Sequence, residues 1–230
     1  MIEISVQFSD HIRKKIGGIK LGLLYAQKMT VEKNPMKIKP AFDQLQDDIK
    51  AKFRSSPPSA HPVVSAVRRM YRRIGWEPTQ YRPSSEAMIR RLIKNKGLYH
   101  INNLVDLGNI CSARYHIPMG LYDYDKIIEP IQLDVGKDGE VYEGISKEII
   151  HAAGKLILRD RQGIFGNPTA DSRRTSILAE TTNVLAIFFT PPEIDHTLLK
   201  EMLEYLEKLY KESCPRAYIS LSSAATPVSG

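Results

Sequence analysis

The hydrophobic period changes near residue 120, and that change narrows the possible folds more than any other feature. Before it, apolar residues recur at intervals of three and four. Phe42, Leu45, Ile49 and Phe53 make one such stripe, and Val63, Val67, Met70 and Ile74 a second. Met88, Ile89, Leu92 and Ile93 make a third, so the spacing predicts three amphipathic helices. Gly75 and Gly97 stand where the second and third would stop, and Asn102 or Asn103 can cap a fourth that runs to about Tyr115. Beyond residue 120 the apolar residues come in short runs, at 131–135, 155–160 and 182–189. These read as strands, as do 2–8, 19–25 and 218–221, and Lys137-Asp138-Gly139-Glu140 reads as a hairpin turn. Leu199, Met202, Leu206 and Leu209 mark a long helix over 193–212. Helices and strands do not alternate regularly. The expected class is α+β, with mixed, mostly antiparallel sheets and flanking helices. Residues 1–222 read as one domain, and 223–230, small and polar, as a flexible tail.

Motifs of common chemistries are missing. No G-x-G-x-x-G, P-loop, H-E-x-x-H or G-x-S-x-G occurs, and the six histidines are scattered. With two cysteines there is no disulfide framework or cysteine cage, and Cys111 falls on an apolar helix face as a structural thiol. No apolar run is long enough to cross a bilayer. The expectation is a cytoplasmic protein with no metal, no cofactor and no membrane partner.

Charge is concentrated. The chain carries a formal +7, yet residues 50–99 contain twelve lysines and arginines against only Glu77 and Glu86. That segment is +10 alone, and the remainder is slightly acidic. Arg68, Arg69, Arg72 and Arg73 share one side of a predicted helix, and Arg90, Arg91 and Lys94 one side of the next. Two basic helices in succession favour contact with RNA phosphates over a merely solvated face.

Residues 99–123 hold Asn102-Asn103-Leu104-Val105-Asp106-Leu107-Gly108-Asn109, then Ile117-Pro118-Met119-Gly120-Leu121-Tyr122-Asp123. Further on come Gly163-Ile164-Phe165-Gly166 and Thr181-Thr182-Asn183-Val184-Leu185. In order and spacing these segments resemble the editing and tRNA-binding domain of the bacterial phenylalanyl-tRNA synthetase beta subunit, over roughly residues 60–190. There N-x-V-D-x-x-N precedes Gln-Pro-Leu-His-Ala-Phe-Asp, and a G-[IV]-[MF]-G segment precedes a T-x-N-V-L strand. The chain looks like a free-standing member of that family, because the rest of a beta subunit does not fit in 230 residues.

The resemblance implies hydrolysis, in trans, of the ester bond of a misacylated tRNA. The partner would be the tRNA acceptor arm, and the basic segment would supply its phosphate contacts. Carried over residue by residue, the family's threonine falls on Gly108, its histidine on Gly120 and its tyrosine-reading glutamate on Ile187. Gly166, Asn109 and Asp106 are kept. The resemblance places Gly108, Asn109, Gly120, Gly166, Asn167, Asp171, Thr175 and Ile187 around the substrate, with Ser172 at the rim. No side chain stands out as catalytic. Losing three polar groups argues against tyrosine specificity. The two new glycines would widen the pocket, and a cationic side chain would fit if Asp171 or Glu180 faces inward. Asp106 reads first as a complement to its helix N-terminus. Trp76 and Tyr81 could stack on the terminal adenosine or join the core. The main alternative is a non-catalytic RNA-binding module that kept the fold and lost the pocket. A third reading is an amino-acid hydrolase or sensor that never meets tRNA.

Overall fold

The computed structural model describes residues 4–33, 36 and 38–226. A four-stranded sheet lies at its centre, in the order β11 (Tyr218–Ala225), β2 (Lys20–Gln27), β10 (Val184–Thr190) and β3 (Met119–Asp123), antiparallel throughout. Nearly every residue of β2 and β10 is buried. That explains why both appear in the sequence as continuous apolar runs without alternation. Long helix α6 (His196–Ser213), N-capped by the Asp195 carboxylate, packs across this sheet. Gly22 of β2 leaves the space that Leu199 and Leu203 of α6 occupy.

A second sheet has five strands, in the order β1 (Val6–Phe8), β4 (Ile131–Val135), β7 (Leu156–Asp160), β8 (Gly163–Asn167) and β9 (Ala170–Asp171). Only β1–β4 is parallel. A short ribbon, β5 (Val141–Glu143) with β6 (Ile149–His151), stands apart. The fold is α+β with mostly antiparallel sheets.

The helices fall close to their periodic stripes. They are α1 (Asp10–Lys15), α2 (Lys39–Lys52), α3 (Pro62–Arg73), α4 (Ser84–Ile93) and α5 (Asn103–Tyr115). Gly75 takes positive φ just beyond α3, as its stop position requires, but α4 is stopped by Asn95, at φ 56° with the Asn95 and Lys96 amides bonded back to Leu92 and Arg91, and not by Gly97. Asn102 caps α5 by accepting the Val105 amide at 2.9 Å. Asn103 does something else. Its carboxamide accepts the Glu32 amide and donates to the Thr30 carbonyl and Ser213 hydroxyl, tying the chain after β2 to the ends of α5 and α6.

Several expectations need correction. A turn forms at Lys137–Glu140, with Gly139 at φ 78°, but β4 and β5 do not pair across it. β4 instead lies between β1 and β7, so this is a corner between sheets and not a hairpin. Strand β11 continues through Ala225, and the Thr226 hydroxyl accepts the Gly18 amide at 2.8 Å. Residues 223–226 are therefore sheet and anchor, not tail; 227–230 lie outside the described residues, as do positions 2 and 3 of the expected first strand. Helix α1 has too few residues to show a period, and only its Ser9 cap marks it.

Candidate functional site

The two main sheets meet at edge strands. β3 ends the four-stranded sheet and β9 the five-stranded one, and they lie side by side without a backbone ladder between them. Helix α5 runs alongside. The result is a cleft with two adjoining lobes of about 360 and 390 Å³, sharing Ile101, Val105, Asn109, Met119, Ile145 and Asp171. One lobe adds Leu121, Arg173 and the stretch Ser176, Ile177 and Leu178. The other adds Ser84, Glu148 and the β8–β9 turn from Asn167 to Ala170. Ile101, Ile145 and Leu178 are exposed and give the mouth an apolar rim.

Local chemistry sets the floor. Asn167 is buried; its carboxamide oxygen accepts from the Thr169 amide and hydroxyl and from the Ala170 amide, closing the β8–β9 turn, while its nitrogen donates to Tyr142 at 2.8 Å. Asp171 follows directly. Its Oδ2 accepts the Leu121 amide at a long 3.4 Å. Its Oδ1 is buried, faces the Tyr122 phenol beside Gly166, and has no well-formed hydrogen bond, nor has that phenol. Burial pushes the Asp171 carboxyl up to about 7, against smaller opposing effects of the Tyr122 phenol and Leu121 amide. Burial and the nearby carboxylate both raise the Tyr122 phenol well above its ordinary value. Asn109 is half-buried on α5 and lines both lobes.

The expected pocket residues therefore separate. Asn109, Asn167 and Asp171 come together at the cleft. Gly108, Gly120, Gly166, Thr175 and Ile187 do not line it. Space left by the first three is already taken: a Cβ at Gly108 would overlap the Met119 methyl, and one at Gly120 would overlap the Tyr122 ring, which also covers Gly166. The glycines make room for the protein's own side chains and do not widen a pocket. Ile187 lies inside β10, fully buried between Gly120 and Leu23 on the flanking strands. Thr175 is also fully buried; its hydroxyl donates to the Phe165 carbonyl and its carbonyl accepts the Asp123 amide. Ser172 is buried and caps the turn to Arg174. Glu180 is exposed. Asp106 accepts the Ile101 amide at 2.9 Å and holds the loop entering α5.

What sequence reading missed is the apolar lining. Ile101, Ile145 and Leu178 are branched residues in turn-rich segments away from any helical stripe, which was the available signal.

The basic helices are largely self-neutralised. Glu86 is completely buried and takes Arg68 and Arg90, each at 2.9 Å, with Arg82 at 3.9 Å. Arg69 and Arg73 both reach Glu193, and Arg72 reaches Glu77. Arg91 donates to the Lys96 and Gly97 carbonyls and stacks on Tyr99, two residues before cleft residue Ile101. Arg68 and Arg90 are thus internal ion-pair members and not open phosphate ligands. Lys94 is exposed. Trp76 is buried and stacked on Tyr71, whereas Tyr81 is exposed beneath the Lys155 ammonium.

A separate, roomier cavity of about 570 Å³ lies between α2, α5 and the start of α3, with Lys52, His61, Arg114 and His116 on its walls. Buried His116 donates from Nδ1 to the Ala113 carbonyl and accepts at Nε2 from Lys52, so burial and that ammonium hold it neutral, at about 3. Arg114 is paired with Asp48. No residue of the quoted sequence motifs lines this cavity; α5 contributes only its C-terminal end.

Among the described residues, no helix is long and apolar enough to cross a membrane, and no group of three or more histidine, cysteine, aspartate or glutamate side chains could hold a metal ion.

The model of the B3/4 domain matches residues 66–214, which include α5, β3 and the whole β8–β9 wall. The chain belongs to the B3/4 domain family. It is 20% identical to the Bacillus subtilis (strain 168) "Uncharacterized protein YhzB" over 91% of its own length and 94% of that protein's. It is 28% identical to the phenylalanine–tRNA ligase beta subunit of Fusobacterium nucleatum and 26% identical to that of Protochlamydia amoebophila, over 49% and 47% of its length. It spans only 15% and 14% of those two subunits. A crystal structure of an N-terminal fragment of the Pyrococcus horikoshii phenylalanyl-tRNA synthetase beta subunit aligns over 97% of this chain and 55% of its own, at 12% identity and a TM-score of 0.49.

Proposed function

We propose that this protein hydrolyses the ester of a misacylated tRNA, with the amino-acid side chain held in the cleft between α5 and the β8–β9 turn. The observation that carries the reading is that Val105, Asn109 and Met119 of the first motif segments and the β8–β9 turn Asn167–Asp171, which lies between the Gly163–Gly166 and Thr181–Leu185 segments, supply walls of one cleft in a B3/4 domain. Water adds to the aminoacyl carbonyl carbon, the bond to the ribose oxygen breaks, and that oxygen takes a proton to leave free tRNA and free amino acid. No histidine or cysteine lines either lobe, and in this reading positioning of water and ester does the work. The Leu121 amide points away from β10 toward Asp171. By strand alternation the Gly120 amide points the other way, and Gly166 is paired on both sides. The amides of Gly120 and Gly166 are therefore directed at paired strands and not at the cleft.

Incubation with a panel of misacylated tRNAs tests this. Release of at least one amino acid is expected, without selective cleavage of tyrosyl-tRNA(Phe). A specific observation favours a second reading, a non-catalytic RNA-binding module: Tyr122 and Met119 already fill the space beside three glycines. Under that reading tRNA binds and every ester on the panel survives.

A further inference from the structure

We propose that the cleft selects a substrate whose aliphatic side chain ends in an ammonium group, of the lysine or ornithine kind, and that Asp171 is the residue that reads it. This rests on the editing reading for the attached tRNA but not for the side chain. Most of the lobe around Asp171 is aliphatic, from Ile101, Val105, Met119, Leu121, Ile145 and Ile177, with Asn109 and Ser176 as its neutral polar groups. The aliphatic walls suit a methylene stem and offer an aromatic ring nothing to stack on. At their base stands a carboxyl that forms no ion pair among the described residues. A desolvated carboxylate gains most from a ligand that brings its own positive charge.

The geometry also distinguishes among cations. Oδ1 is closed off against Tyr122 and Gly166, which leaves Oδ2 as the oxygen a ligand can reach. A guanidinium binds best as a two-pronged fork to both oxygens, whereas an ammonium is a compact point charge that needs one. Arg173, the cation on the same wall, is turned to Glu143 at 2.9 Å and does not neutralise the site. Asp171 is then a specificity residue, not one that acts on the ester.

The test uses amide-linked 3′-aminoacyl-adenosine analogues, which cannot be hydrolysed, so binding is read apart from catalysis. The lysyl analogue should bind at least about tenfold tighter than the norleucyl, tyrosyl or Nε-acetyl-lysyl analogue, the scale of one charge-assisted hydrogen bond. In Asp171→Asn, checked for folding by its thermal melt, the lysyl-to-norleucyl ratio should fall to near one. Equal or tighter binding of the tyrosyl, norleucyl or acetylated analogue overturns the proposal, and the acetylated ligand decides it even if the variant does not fold. A lysyl preference that persists in folded Asp171→Asn overturns the assignment of Asp171. Lysyl preference without cleavage of lysyl-tRNA would count against the hydrolase and leave this inference standing; cleavage of neutral esters without lysyl preference would do the reverse.

Discussion

The cleft and the α3–α4 pair treat charge in opposite ways. At α3–α4 a single buried carboxylate, Glu86, is surrounded by Arg68, Arg82 and Arg90. In the cleft a half-buried carboxylate, Asp171, forms no ion pair among the described residues, and its buried Oδ1 faces only a phenol. The first arrangement is complete without a partner molecule; the second is not. A run of arginines in a sequence therefore says less about binding than one unmatched acid, because arginines can be satisfied by an acid distant in the chain, as Glu193 satisfies Arg69 and Arg73.

The strongest way to break this contrast is Glu86→Gln. Removing the shared acid strands Arg68 and weakens the hold on Arg90, at a cost of about 3–5 kcal/mol by denaturant unfolding. A loss under about 1 kcal/mol would mean that the arginines are independently solvated. Next comes Gly120→Ala. The added methyl collides with the Tyr122 ring, and overpacking of this kind costs about 1–3 kcal/mol. Combining it with Tyr122→Leu should recover part of that loss, a departure from additivity read in the same unfolding experiment.

Asp171→Asn should act in the other direction. The folded carboxyl lies near 7, above its unfolded range, so its ionisation opposes folding. The penalty is absent below pH about 4, grows as pH rises toward 7 and is constant above. The variant should gain roughly 1–3 kcal/mol at pH 8, moderated because one side of the group opens on the cleft, and nothing at pH about 3.5. Thermal melts at the two pH values check it. The smallest expected effect concerns the surface cations. Replacing Arg72, Arg91 and Lys94 by glutamine should reduce the slope of log affinity for tRNA against log salt by nearly one per cation removed, whereas Arg68→Gln should lower stability and leave that slope in place.

Local patterns made the helices legible, because an amphipathic stripe and a glycine stop are written in adjacent residues. The cap of α5 was legible to within one residue, as Asn102 or Asn103, and the apolar run 182–189 as a strand, for the same reason. What failed was whatever depended on distant partners. The turn at residues 137–140 looked like a hairpin because nothing nearby reveals that β1 and β7, and not β5, flank β4. Gly108 and Gly120 looked like enlargements of a pocket because the occupants of their space cannot be deduced from a glycine. Thr175 and Ser176 are neighbours, yet one braces β3 against β8 and the other faces the cleft. Alternation in an irregular segment cannot be phased without the fold.

Tyr122 lies over both Gly120 and Gly166, and this ties three positions into one volume. In this chain a larger residue at 120 or 166 requires the Tyr122 ring to move or be replaced, so an enzyme engineer reshaping the interior would need to change the three positions as a set.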